Sequence, residues 1–79
     1  MLTAEQVRGA RAMLRMEQRQ LADAAGVSVE TIKRMERAAG EVPTNARTAT
    51  AIQRALEAAG VEFTNGDQPG VKLRRGGGS

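Results

Sequence analysis

The stretch Gln18–Arg37 constrains this chain most. Two short helical patterns meet in it at a glycine. Leu21, Ala22 and Ala25 form one apolar stripe. Gly26 and Val27 interrupt it, Ser28 restarts it, and Ile32 and Met35 form a second stripe three residues apart. Glycine at a helix end adopts a left-handed backbone cheaply, so the chain can turn sharply there. Ser28 suits the N-cap of the next helix, because its hydroxyl can accept first-turn amides. Ala22 is small enough to let two helices cross closely. The spacing is that of two helices joined by a tight turn.

The outward face of the second helix carries the functional expectation. At about 100° per residue, Ser28, Ile32, Met35 and Glu36 fall on one side. Glu30, Lys33, Arg34 and Arg37 fall on the other, and three of these four are cationic. A solvated stripe with Glu30 tethered to Arg34 is the plainer reading. A tight turn leading into a basic face favours recognition of DNA.

Composition narrows the alternatives. At 79 residues, one domain with a small core is expected. No Cys or His is present, which removes disulfides, thiolate metal sites and the usual general base. No metal, cofactor or enzymatic activity is therefore expected. Phe63 is the sole aromatic residue, whereas single-strand binders stack bases on several. The apolar runs are too short to span a bilayer and the start lacks a signal-peptide pattern, so a cytoplasmic protein without membrane contact is expected. The net charge of +3 and a basic set made almost entirely of Arg agree with a polyanionic partner.

A first helix is read over Leu2–Leu14, with Thr3 as N-cap, Gln6 completing a capping box, and Val7, Ala10 and Leu14 facing inward. Arg11 lies on that apolar stripe, and Glu36 lies on the apolar side of the later helix. Their opposite signs suggest a partly buried pair; the alternative is that each reaches water separately. Arg15, Met16 and Glu17 link to the second helix. Gln18 stands at its N-terminus, where it can anchor a phosphate or simply cap. Gly40 is read as the stop of the third helix, and Pro43 as holding Val42 extended. Thr44 or Asn45 then caps a fourth helix running to Ala59, with Ala49, Ile52, Leu56 and Ala59 buried and Gly60 after it. Thr44, Asn45 and Arg47 stand where they could also reach phosphate.

The period then changes. Val61 and Phe63 alternate with polar residues, Asn65-Gly66 signals a turn, and Val71 and Leu73 alternate again. A lone hairpin is marginal, so this one is either a lid on the helices or a dimerisation element built on Val61, Phe63, Val71 and Leu73. The organisation expected is a helical domain over 1–60, a hairpin over 61–74 and a flexible glycine-rich tail over 75–79.

These residues together resemble the XRE family, the helix-turn-helix proteins that include lambda-type repressors and Cro. The resemblance runs from about Val7 to Leu56. It rests on Arg11, Gln18, Leu21-Ala22, Gly26-Val27-Ser28, Ile32 and Met35-Glu36-Arg37. It implies a mainly α fold: a compact bundle of four to five helices with a central helix-turn-helix, followed by a short C-terminal β-hairpin. It implies a phosphate contact for Gln18, base-edge positions for Val29, Glu30 and Arg34, and a buried pair for Arg11 and Glu36. The continuation AIQRALEAAGVEF and PGVKLR looks like that of small bacterial regulators of this family. Ala38 departs from the family glycine, Met16 replaces a smaller or polar residue, and Val29 can only pack on a thymine methyl.

The expected function is sequence-specific binding of double-stranded DNA by a homodimer that acts as a transcriptional regulator, a repressor rather than an activator. Arg34 would contact guanine and Glu30 a cytosine amino group. Lys33 and Arg37 would contact phosphate with Arg15, Gln18 and Ser28, and Thr31 completes the DNA-binding set. The competing expectation is an antitoxin or adaptor that uses the same fold to hold a partner protein.

Overall fold

The computed structural model describes residues 2–40, 44–65 and 68–74. Four helices and a two-stranded hairpin follow in order among them. Helix α1 spans Ala4–Leu14 and opens on the expected capping box. The Gln6 amide donates to Thr3 Oγ1 at 3.1 Å, and the Thr3 amide donates to Gln6 Oε1 at 2.9 Å. It ends through Arg15, whose backbone is left-handed (φ 54°), with the Met16 amide donating back to the Arg11 carbonyl.

Helix α2 (Gln18–Ala25) ends at Gly26, φ 72°. The amides of Gly26 and Val27 donate to the carbonyls of Asp23 and Ala22, at 3.3 and 3.0 Å. These bonds satisfy acceptors that a helix end would otherwise leave bare, and they aim the chain into the next helix. Helix α3 (Val29–Arg37) starts on Ser28, whose hydroxyl accepts the Thr31 amide at 3.2 Å. It ends at Ala38, in extended backbone. Gly40 therefore does not stop α3, as the sequence had suggested; it lies in the segment beyond. The expectation for Val42 and Pro43 falls outside the described residues.

Helix α4 (Ala46–Ala59) is capped by Asn45, whose Oδ1 accepts the Thr48 amide at 2.8 Å; Thr44 is not the cap. Ile52 and Leu56 are fully buried and Ala49 and Ala55 partly so, but Ala59 is exposed. Strands β1 (Val61–Asn65) and β2 (Pro69–Leu73) pair antiparallel, with Val61 opposite Leu73 and Phe63 opposite Val71.

Val7, Ala10, Leu21, Ile32, Met35, Ile52 and Leu56 meet in one core, and Val61 of the hairpin joins them at 1% exposure. The hairpin is thus fastened to the helical body. Phe63 and Val71 pack against the same core, and Val71 Cγ1 comes within 3.2 Å of where a side chain at Gly9 would begin. Gln6 Nε2 donates to the Gly70 carbonyl at 2.9 Å and more weakly to that of Thr64 at 3.4 Å. At the far end, the Arg74 amide donates to the Gly60 carbonyl and its guanidinium to that of Glu57.

Candidate nucleic-acid interface

The α2–turn–α3 unit is anchored from beneath. Ile32 and Met35 have no exposed surface, so α3 cannot roll without emptying the core. Arg11 of α1 grips Glu36 of α3 with two parallel bonds, Nε to Oε2 at 2.6 Å and Nη2 to Oε1 at 2.7 Å. Glu36 is 8% exposed. The fork geometry of guanidinium and carboxylate makes this a directional contact as well as an electrostatic one. The Arg11 guanidinium also donates to the Met16 carbonyl at 2.8 Å. The Glu36 carboxylate holds Arg11 above its ordinary pKa through this hydrogen bond, against the opposing effect of burial.

What that anchoring presents outward is the set of polar residues on α3. Glu30, Lys33, Arg34 and Arg37 are exposed. Glu30 pairs loosely with Lys33 at 3.9 Å, and no ion pair joins it to Arg34 among the described residues. An exposed pair of this kind is worth roughly 0–1 kcal/mol and gives way readily to a ligand. Ser28 is exposed and Thr31 half-buried, and their hydroxyls lie 3.0 Å apart. Val29 is partly buried and packs against the core, which limits its reach outward. Arg15 stands exposed in its left-handed turn ahead of α2.

Gln18 is placed differently from a free surface anchor. Its Nε2 donates to Glu36 Oε1 at 3.2 Å. A side-chain amide has two donor hydrogens. One is committed to the buried pair, and the second remains for an acceptor outside, so Gln18 joins the core of the unit to the start of α2.

The hairpin residues divide. Val61 is absorbed into the core and cannot serve a contact with a second chain, which corrects its place in the dimerisation set. Phe63 and Val71 are half-buried, and Leu73 is 52% exposed. The sequence reading also missed two side chains of α1. Arg8 Nη1 donates to the Glu36 carbonyl and, at 3.4 Å, to that of Ala38; Glu5 accepts the Gly40 amide. The signal available was their three-residue spacing with Arg11, which places all three near one stripe of α1.

Two helices at a glycine turn, with an exposed polar reading face on the second, define a helix-turn-helix DNA-binding domain. The helix-turn-helix family model matches residues 7–63, and the chain belongs to that family, of the XRE type. It is a DNA-binding regulator of this type, and the family is a DNA-binding domain rather than an enzyme family. No curated protein matches the chain. Among the described residues, no helix is long and apolar enough to cross a membrane.

Proposed function

We propose that the chain is a transcriptional repressor that binds double-stranded DNA sequence-specifically as a homodimer, with α3 in the major groove. The observation that carries this is the split of α3: Ile32 and Met35 are fully buried, while Arg34 and its cationic neighbours are exposed. Arg34 reads a guanine through its two-pronged guanidinium, and Glu30 accepts from a cytosine amino group after releasing Lys33. Lys33, Arg37 and Arg15 contact phosphate, together with Ser28, Thr31 and the second amide hydrogen of Gln18. Val29 makes at most an apolar contact with a thymine methyl. Repression by occlusion requires only tight occupancy of a site.

Leu73, exposed on β2, supports a contact between two copies. A dimer presents two α3 helices to half-sites about one helical turn apart. The reading is tested by selecting bound duplexes from a random pool; a palindromic motif is the expected result. On that duplex, Arg34→Ala should cost roughly 1–3 kcal/mol and relax one base position. Equal weakening on selected and scrambled duplexes would remove Arg34 from base reading. A protein-holding adaptor would instead select no motif, and its complex would respond little to salt.

A further inference from the structure

The exit of α3 is closed in an unusual way for this molecule. Helices α1 and α2 end through left-handed residues that fold the chain back and satisfy their last carbonyls. Ala38, after α3, is extended instead (φ −74°, ψ 163°), so no such turn forms. The final carbonyls of a helix then need donors from elsewhere. The Ala38 amide serves the Met35 carbonyl, and Arg8 of α1 serves the Glu36 carbonyl through Nη1, which also reaches that of Ala38. A guanidinium at a helix C-terminus also meets the negative end of the helix dipole.

Two residues further on, Gly40 is tied down at both its polar atoms. Its amide donates to the Glu5 carboxylate, at 3.1 and 3.3 Å to the two oxygens. Its carbonyl accepts the Ala4 amide at 2.7 Å. Ala4 opens α1, and its amide is one of those a helix start leaves without an internal partner. The positive φ of Gly40 (78°) turns both groups toward α1, and no atom crowds the space a side chain would take. The C-terminal exit of α3 and the N-terminal turn of α1 thus satisfy each other's orphan groups. Glu5 and Arg8 lie 3.9 Å apart and are about half-exposed. As a surface ion pair they would contribute little. Their bonds to the backbone at and beyond the end of α3 are a different matter.

We propose that Glu5 and Arg8 are positioning residues for DNA recognition, holding the C-terminal end of α3 and its exit segment so that Arg34 and Arg37 meet DNA at a fixed height and angle. The proposal rests on α3 being the DNA-reading helix. Recognition groups must be held within about 0.5 Å of their productive geometry. Arg11 fixes the side of α3 through the Glu36 carboxylate, and Arg8 fixes its end through the Glu36 carbonyl.

The test titrates the full-length wild type, Arg8→Ala, Arg8→Lys and Glu5→Ala against the selected duplex and a scrambled one, across a salt series. Amide exchange at Gly40 is read in parallel. Arg8→Ala is expected to lose roughly tenfold on the selected duplex, the scale of a hydrogen bond from a charged group, with scrambled-duplex affinity and salt slope unchanged. Arg8→Lys should recover part of the loss, since an ammonium can still reach one carbonyl. Glu5→Ala should speed Gly40 exchange about tenfold and weaken the selected duplex alone. Equal weakening on both duplexes with a shallower salt slope would make Arg8 a phosphate contact and overturn the proposal. So would unchanged selected-duplex affinity in Arg8→Ala, or in Glu5→Ala should Arg8→Ala fail to fold. A wild type that selects no duplex overturns the DNA reading itself, a result distinct from a selective wild type with indifferent variants.

Discussion

Arg11 and Glu36 form the contact on which the orientation of α3 turns, and its energetics belong to single residues. Both oxygens of Glu36 accept from Arg11, and Gln18 adds a third bond. Desolvating two charges offsets much of their attraction, so the pair adds less to stability than its geometry suggests. Removing one partner is a different operation, because the survivor keeps its burial and loses its compensation. Arg11→Met is expected to cost about 3 kcal/mol, the lower end for breaking a buried pair, since Arg11 retains some access to water. Arg11→Met combined with Glu36→Leu should cost less than Arg11→Met alone. Urea unfolding of the three proteins checks this. Additive losses would mean that the pair is no more than two independent surface charges.

The two helix ends flanking α2 make a matched experiment at the scale of elements. Arg15 and Gly26 both take left-handed backbone and both are followed by an amide that donates five residues back. Glycine reaches that conformation without strain, whereas a side chain costs about 1 kcal/mol or more there. No heavy atom lies within 4 Å of a side chain built at Gly26, so Gly26→Ala carries backbone strain alone. It should destabilise by about 1 kcal/mol, and Arg15→Gly should stabilise by a similar amount. Thermal unfolding reads both. Strain retained at an exposed arginine suits a residue kept for contact, and Arg15→Gly should accordingly lower the salt slope of DNA binding by about one. A stabilised Arg15→Gly protein with an unaltered slope would take Arg15 out of the interface.

At the scale of the whole molecule, the proposed homodimer rests on the hairpin. Val61 is core and Val71 lies against Gly9, so a charge at either would damage the fold before it reported on association. Leu73 is the hairpin residue that can be changed cleanly, being 52% exposed. Leu73→Asp is expected to leave the unfolding midpoint nearly unchanged and to convert a dimer to a monomer in sedimentation. It should also weaken binding to a two-half-site duplex while sparing a single half-site. A dimer that survives Leu73→Asp would place the two-fold contact on another surface.

The sequence by itself determined the elements and much of their punctuation, though not the end of α3 at Ala38. Thr3, Ser28 and Gly26 sit where caps and turns require their particular chemistry, and the periodicity of Ile32 and Met35 assigns the buried side of α3. These are local properties, set within one or two turns of chain, and therefore legible without a fold. The outward placement of Arg34 and its cationic neighbours follows from the same periodicity. The Arg11–Glu36 contact was legible too, because two charges on apolar stripes are costly unless they meet. Only the tertiary structure decided the rest. Residues 58 apart or more bring Gln6 to the hairpin, and residues 35 apart bring Glu5 to Gly40. The division of Val61 from Leu73 was equally hidden, since strand alternation gives both the same face and only packing against the helical body covers one of them. Glu5 has the one-dimensional pattern of a solvated helix face and Gln6 that of a cap, and neither pattern names a distant backbone partner.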